Sequence, residues 1–414
     1  MDRVNGKKFL EYAFGLGKWI IIACAIGCIC GAVGAFFHKA VDASAAAFSR
    51  ADWMIFLLPA AGLAIVTIYR ICRLPVSIGT DKVFESTRSR ENIPSAMAPL
   101  IFISTMLTHM FGGSSGREGA ALQLGGGIAA MGGRALKLKE NEMHTAELCG
   151  MSALFSALFG TPMAASFFVL EVVDVGMIHY RSLFPCVVSS VFAHLAASYM
   201  GVTGEKFHLP AEAMAIKAIP LAKVMLLAAL CALVAILFCT AMHVSHASFK
   251  KLIKNEYARI FAGGAAVVLL TLVFGVRDYN GAGMHVIERA IDGEARWEAW
   301  AVKMLFTCFT LSAGFKGGEI VPSFFIGATF GCVVGKLIGL DPSVSAAIGM
   351  VSVFCGVTNT PAASILIALE MFGGEYLVPF GVAVGASYLI SGKCSLYHSQ
   401  HFLETKYAWG RDEK

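Results

Sequence analysis

The 414 residues carry a net charge of +5, 57% of them are hydrophobic, and only 15% are charged. A mean hydropathy of +0.69 with so few charges excludes an ordinary soluble domain, in which about 25% of residues are charged. The chain is therefore predicted to be an all-α integral membrane protein. Its positive charge requires no nucleic acid as a partner, because short basic loops account for it.

Apolar runs that approach the length of a bilayer span recur along the whole chain. They lie near 18–38, 53–69, 97–112, 121–133, 147–176, 183–201, 219–243, 258–276, 300–315, 320–340, 344–374 and 377–391. Several are too short for a perpendicular span, and others are interrupted by Gly, Pro or Asn. This pattern predicts a bundle of many tilted and broken helices.

The distribution of basic residues predicts the orientation, since Lys and Arg favour cytoplasmic loops. The N-terminal segment 1–17 is basic and is predicted to be cytoplasmic. The acidic segment 277–298 is predicted to lie outside, so that the run 258–276 crosses the membrane. No cleavable signal follows the first residues. The expected location is the inner membrane of a bacterium, which the chain crosses several times.

Two stretches of the chain resemble each other. Gly150–Glu171 recurs as Gly349–Glu370, and a second correspondence pairs Gly116, Arg117 and Glu118 with Gly317, Gly318 and Glu319. We therefore predict two related halves, 18–203 and 204–400, followed by a C-terminal tail 401–414 and no soluble regulatory domain. Such repeats are typical of transporters that bind their substrate between the halves. We expect the halves to be inverted, although the sequence itself shows only the repeat. Because Glu171 and Glu370 match across the repeat, a paired architectural role is favoured for them over ion handling.

The first glycine-rich segment, 111–120, places a glutamate next to a predicted helix start. The first turn of a helix offers free N–H groups and the positive end of its dipole, which together bind anions. Glu118 is itself an anion, so it would compete with a dissolved anion for these donors until it is protonated. A carboxylate at membrane depth is a functional candidate by default. The alternative is that Glu118 only caps the helix.

The second half repeats this arrangement in the segment 313–322, where Pro322 suits an early helical position. The two helix starts are predicted to converge on a site near the middle of the membrane. Two roles remain open for Glu319: it is either a gating or proton-handling group or a structural carboxylate. Arg117 and Lys316 are expected to neutralise neighbours or to face a vestibule rather than to contact the ion. Phe324 and Phe325 are candidates to line the pathway.

At these residues the chain resembles the CLC family of chloride channels and proton-coupled anion exchangers. The residues Gly116, Arg117, Glu118 and Gly119 correspond to the family's G-[RK]-E-G-P motif, with Ala120 in place of the proline. The residues Gly318, Glu319, Ile320, Val321 and Pro322 occupy its G-x-F-x-P segment, with Glu319 in place of the phenylalanine. The segment 396–400 is similar to the late segment whose tyrosine hydroxyl reaches the central anion. The resemblance thus implies that Glu118 is the gating glutamate and Tyr397 an anion ligand, although a lone tyrosine near a helix end is otherwise often an interfacial anchor.

The departures from the chloride pattern are similar to the fluoride/proton antiporter branch of the family. In this branch a small residue follows GREG, and GGE-x-x-P is typical. The family's first motif, G-S-G-I-P-E, is replaced here by the segment 76–82, in which Ser77, Gly79, Thr80 and Asp81 are the candidate site residues. The branch usually has a threonine at the position of Val321 and an asparagine within the positions of 80–82. Val172 stands where chloride/proton exchangers commonly carry a second internal carboxylate, which the fluoride branch also lacks.

The resemblance implies a membrane anion transporter that exports fluoride in exchange for protons and forms a homodimer with one pore per subunit. Glu118 and Glu319 are the expected gating or proton-transfer residues. The expected anion-binding residues are Gly116, Arg117, Gly119, Ala120, Gly318, Ile320, Val321, Phe324 and Tyr397. The alternative is a chloride-selective channel or a chloride/proton exchanger of the same fold.

The sequence shows no catalytic, cofactor or metal motif, so an enzyme is not predicted. Most of the twelve cysteines lie in apolar runs, where free thiols behave as small hydrophobic residues. Cys24, Cys28 and Cys30 lack the matching histidine or cysteine pair of a zinc site.

Overall fold

The computed structural model describes residues 2–89, 92–210, 217–403 and 406, and only the backbone of residues 2–12. Sixteen α-helices form this part of the chain. They are α1 (Asp2–Arg50), α2 (Leu58–Ile71), α3 (Thr80–Ser86), α4 (Met97–Met110), α5 (Glu118–Ala135), α6 (Glu140–Phe159), α7 (Pro162–Val173), α8 (Tyr180–Tyr199), α9 (Ala218–Leu252), α10 (Glu256–Phe274), α11 (Met284–Ile291), α12 (Ala299–Ala313), α13 (Ile320–Leu337), α14 (Pro342–Thr358), α15 (Pro361–Phe372) and α16 (Leu377–Ile390). A short 3-10 helix, Asp52–Leu57, precedes α2. Two short parallel strands, β1 (Asp174–Val175) and β2 (His401–Phe402), pair with each other.

The helices are of very unequal length, as the interrupted apolar runs predict. Six segments of the described chain are long and apolar enough to cross a membrane, whereas other apolar helices have only 10–17 residues. The predicted run 147–176 is divided between α6 and α7, and the run 344–374 between α14 and α15. At both breaks a left-handed residue, Gly160 (φ 70°) or Asn359 (φ 60°), ends the first helix. A proline at the first helical position then begins the next.

Other boundaries differ from the sequence prediction. The first apolar run, 18–38, is only the middle of α1, which extends from Asp2 to Arg50 because no proline interrupts it. The short helices α3 and α11 lie in polar stretches for which no apolar run was predicted. Side chains of the basic residues Arg3, Lys7 and Lys8 lie outside the described residues.

The two halves pack in the same way. In the first half α1 packs on α6 and α8, and α5 packs on α6; in the second half α9 packs on α14 and α16, and α13 packs on α14. The contact between α5 and α6 depends on Gly125 and Gly150, because a Cβ atom on either would press on the backbone of the other. Gly327 and Gly349 make the equivalent contact between α13 and α14. Small residues thus allow the helices of each half to approach closely.

Helices α7 and α15 join the halves through a reciprocal pair of carboxylates. Glu171, near the end of α7, accepts hydrogen bonds from the N–H groups of Ala362 (3.0 Å) and Ala363 (2.8 Å) at the start of α15. Glu370, near the end of α15, accepts bonds from Met163 (3.0 Å) and Ala164 (2.9 Å) at the start of α7. The two equivalent helices therefore run antiparallel, so that the halves are inverted relative to each other at this contact. Both carboxylates satisfy first-turn N–H groups that have no acceptor within their own helix, which is the architectural role favoured from the sequence.

The substitution Glu171→Gln is expected to lower the midpoint of thermal unfolding. The amide replaces one acceptor oxygen by an NH₂ group that faces a backbone N–H, and an unsatisfied buried donor costs about 1–3 kcal/mol. Thermal unfolding in detergent measures the shift. Glu147→Gln is the matched control, because Glu147 accepts its bond from the Ser86 hydroxyl (3.0 Å), which can rotate to suit an amide. Equal shifts in the two variants would contradict the prediction.

Candidate functional site

The two glycine-rich segments meet where α5 and α13 begin. Gly116 and Gly318 exchange two backbone hydrogen bonds, each of 2.7 Å, as an isolated antiparallel bridge. Gly119 lies against the same bridge, because a Cβ atom built on it would be 2.8 Å from the Cα of Gly318. The predicted convergence of the two segments is therefore present in the structure.

Two equivalent hydroxyls hold these segments in place. The N–H of Ser114 donates to Thr310 Oγ1 on α12 (3.0 Å), and the N–H of Lys316 donates to Thr108 Oγ1 on α4 (3.3 Å). Neither threonine is among the residues predicted from the sequence. A threonine in an apolar helix usually bonds to its own backbone, so its sequence context carries no signal of this role.

The first turns of α5 and α13 contain backbone N–H groups that have no acceptor within their own helix. The first bond within α5 is donated by Ala121 to the Arg117 carbonyl (2.9 Å), and the first within α13 by Ser323 to the Glu319 carbonyl (3.0 Å). The N–H groups that precede these donors have no acceptor within their helix. They belong to Glu118, Gly119, Ala120, Ile320 and Val321.

Glu118 is the first residue of α5 and is only 1% exposed. Its Oε2 accepts a hydrogen bond from the backbone N–H of Arg117 (2.9 Å), and its Oε1 lies 3.5 Å from Arg117 Nε. The carboxylate thus occupies a donor at the helix start, where an anion would compete with it. The Arg117 guanidinium is bonded to Asp42 Oδ1 (2.8 Å) and lies 3.6 Å from Glu205 Oε1. As expected from the sequence, Arg117 neutralises neighbouring carboxylates.

Two cavities approach the meeting point. One cavity, called the outer cavity because the segment 277–298 is predicted to lie outside, has a volume of about 560 Å³ and is lined by Glu118, Arg117, residues near the end of α1 and the segment 277–285. An inner cavity of about 480 Å³ is lined by Glu319, Tyr397 and the segment 76–81. The inner cavity therefore brings together Ser77, Gly79, Thr80, Asp81, Glu319 and Tyr397 from the predicted site.

The two cavities lie at opposite ends of α10. Its first-turn residues Glu256 and Arg259 line the inner cavity, and the segment that follows its last residue lines the outer cavity. A helix of 19 residues is about 28 Å long, close to the thickness of a bilayer core. The helix starts of α5 and α13 thus stand between two openings on opposite sides of the protein.

Several buried polar atoms at the inner cavity have no hydrogen-bond partner in the described part of the chain. Among them are Gln123 Oε1, Glu319 Oε2 and Tyr397 Oη. Because buried polar atoms in proteins are nearly always bonded, these three are available to interact with an ion, a proton or water. Gln123 is not among the residues predicted from the sequence, although an amide in the otherwise apolar start of α5 is a possible signal. Its Nε2 donates to Thr80 Oγ1 (3.1 Å).

Two further contacts fix the segment 76–81. Asp81 Oδ1 accepts bonds from both the N–H (3.0 Å) and the hydroxyl (2.7 Å) of Ser399, which ties this segment to the one that carries Tyr397. Lys316 Nζ donates to the carbonyls of Val76 (2.5 Å) and Ile78 (2.7 Å). The Lys316 ammonium group therefore fixes the loop by hydrogen bonds instead of being unbonded in the cavity.

The predicted residues Ala120, Ile320, Val321 and Phe324 are buried but line neither cavity. The Phe324 ring packs in an aromatic cluster with Phe159 (5.6 Å between centroids) and Phe354 (5.1 Å). Ala120, Ile320 and Val321 contribute only their backbone N–H groups, which lie at the helix starts.

Comparisons with known proteins agree with this architecture. A family model described as "Voltage gated chloride channel" matches residues 61–392. A chloride/fluoride channel protein of Pseudomonas syringae pv. tomato is 34% identical over 98% of this chain and 91% of its own length. The H(+)/Cl(-) exchange transporter ClcA of Vibrio vulnificus is 23% identical over 91% of this chain and 86% of its own.

Among solved structures, a CLC-type fluoride/proton antiporter superimposes with a TM-score of 0.91 and 31% identity, covering 94% of this chain and 99% of that one. A slow cyanobacterial Cl⁻/H⁺ antiporter superimposes with a TM-score of 0.77 at 17% identity, covering 90% of this chain and 94% of that one, and so shows the fold alone.

Proposed function

Because the chain belongs to the voltage-gated chloride channel (CLC) family of anion transporters, we propose that it is a fluoride/proton antiporter that exports fluoride and is gated by Glu118. The observation that carries this proposal is the position of the Glu118 carboxylate. It is bonded to a backbone donor at the start of α5, beside first-turn N–H groups that have no helical acceptor.

This position links the proton to the anion. An ionised Glu118 accepts hydrogen bonds at the helix start and opposes a second anion there by charge repulsion. A protonated carboxyl is neutral and a weaker acceptor, so the anion can take its place on the helix N–H groups. Glu118 therefore has two states. When it is protonated, it leaves the helix N–H groups to the anion; when it is ionised, it occupies them itself. Strict alternation between these two states exchanges the ions in opposite directions.

The choice of fluoride is supported by the donors and by the relatives. Fluoride is small and strongly hydrated, so it needs strong hydrogen-bond donors in return for its water. The first-turn N–H groups of α5 and α13 and the unpartnered Tyr397 hydroxyl supply such donors. Two of the similar proteins are described as transporting fluoride. Glu319, whose Oε2 has no partner among the described residues, is proposed to carry the proton on the inner side.

The test measures anion flux from liposomes loaded in turn with fluoride and with chloride, while the external pH is recorded. Fluoride efflux with matching proton uptake, and little chloride efflux, is the expected result. Chloride efflux at an equal or greater rate would place the protein with the chloride exchangers. Fluoride efflux without proton movement would identify a passive channel.

We further propose that the protein forms a homodimer in the inner membrane of a bacterium, and that the transmembrane transport domain of each subunit consists of the halves 18–203 and 204–400. Bacterial relatives of nearly the same length support the location. The matching packing of α1–α8 and α9–α16 supports the division into halves.

A further inference from the structure

Three imidazole rings line the inner cavity. His243 and His246 lie on α9, and His398 directly follows Tyr397. The rings of His243 and His398 are stacked, with their centroids 4.1 Å apart and their planes inclined by 23°. The fold thus brings together histidines that are scattered in the sequence.

The His243 ring offers an unused proton-accepting or proton-donating atom. Its Nε2 is buried and has no hydrogen-bond partner within the described ranges. The same ring interacts with the backbone carbonyl of Leu396, which directly precedes Tyr397. The histidine cluster is therefore continuous with the segment that carries the Tyr397 hydroxyl.

Charged groups from several elements face this cluster. They are Asp81 of α3, Lys250 of α9, Lys254 in the loop after α9, Glu256 and Arg259 of α10, and Lys316 and Glu319 at the start of α13. Lys316 is bonded to loop carbonyls, and Asp81 to Ser399. Two charged imidazoles in stacked contact would repel each other. The stacked pair is thus suited to hold one proton at a time, as a relay requires.

At the position of Val172, where the resemblance implies that chloride/proton exchangers commonly carry an internal carboxylate, this chain has no titratable group. Val172 is buried and does not line the inner cavity, and its carbonyl accepts a bond from Gln400 Nε2 (3.0 Å). Val172 therefore provides no proton route to Glu319. Histidine is the side chain whose charge ordinarily changes between pH 5 and 8. Within the described residues, no group of three or more His, Cys, Asp or Glu side chains is placed to hold a metal ion.

We propose that His246, His398 and His243 form the route by which protons pass between the cytoplasmic water and the inner cavity. This inference rests on the proposed proton-coupled function. During fluoride export, a proton that arrives from the side of Glu118 passes by way of the Tyr397 hydroxyl and the free Oε2 of Glu319 to the stacked pair, and leaves at the cavity mouth, through water where the groups are not in contact. Glu319 and Glu118 each lie within range of electrostatic interaction with Tyr397, which connects this route to the gating glutamate.

The test compares the unmodified protein with the double variant His243→Gln/His398→Gln in liposomes that contain fluoride. Glutamine keeps hydrogen-bonding capacity but does not titrate. Proton uptake is expected to fall at least about tenfold in the double variant, and the dependence of the rate on the pH of the cytoplasmic side to flatten. His401→Gln is the matched control, because His401 belongs to the same C-terminal segment but does not line the cavity.

A second readout separates proton transfer from a defect of packing. Imidazole buffer on the cytoplasmic side should restore proton uptake to the double variant, whereas it would not repair a misfolded protein. This inference alone would be overturned if the unmodified protein is proton-coupled and the double variant keeps full coupling and an unchanged pH profile. Absence of proton coupling in the unmodified protein would instead overturn the proposed function and this inference with it.

Discussion

Replacing Glu118 with glutamine is expected to reduce anion-driven proton uptake at least about a hundredfold, to the leak of protein-free liposomes. The amide has nearly the shape of the protonated carboxyl, so the buried side chain can keep its position beside the Arg117 N–H. It cannot release or bind a proton, however, and the exchange depends on both steps. The measurement is the external pH during fluoride efflux.

The control for this variant is Glu205→Gln. Glu205 is also a carboxylate near the Arg117 guanidinium, at 3.6 Å, but it is partly exposed and does not stand at a helix start. Proton uptake should be largely retained in the control. Proton uptake at the normal rate in Glu118→Gln would remove the role assigned to this residue, and an equal loss in both variants would point to the charge around Arg117 instead.

The substitution Gly119→Ala is expected to abolish transport by separating the two helix starts. The added Cβ atom would lie 2.8 Å from the Cα of Gly318, which is itself held by the two bonds of the Gly116 bridge. A contact with backbone cannot be relieved by a side-chain rotation, so the segments must move apart. Such overpacking costs about 1–3 kcal/mol. Fluoride efflux and the midpoint of thermal unfolding should both fall.

Gly132→Ala provides the matched control on the same helix. A Cβ atom at Gly132 meets nothing within 4 Å, and alanine favours helix over glycine by about 1 kcal/mol. This variant should transport normally and be at least as stable as the unmodified protein. Normal fluoride efflux in Gly119→Ala would show that the close approach of the two segments is not needed for transport.

The membrane class, the repeat and the two glycine-rich segments follow from the sequence because each depends on a local pattern. Apolar runs identify membrane segments from the composition of a short window, and a repeated segment is visible without any structure. The breaks after Gly160 and Asn359 likewise follow local rules of helix ends. The position of Glu118 at a helix start also follows from a local pattern, a glycine-rich segment followed by an apolar run.

The contacts around the site could not be predicted from the sequence and were seen only in the tertiary structure. Nothing local to Glu171 indicates that it binds the start of α15, or that Thr310 supports the loop at Ser114. The stacking of His243 on His398 joins α9 to the end of the chain in the same way.

Such pairs form because distant segments pack together, and the periodicity of a segment shows which face is apolar but not which partner that face meets. The sequence by itself therefore determined that this is a membrane protein of two related halves with a glutamate at a helix start. Only the tertiary structure decided which donors, hydroxyls and imidazoles surround that glutamate and its counterpart, because those positions are set by packing between segments far apart in the chain.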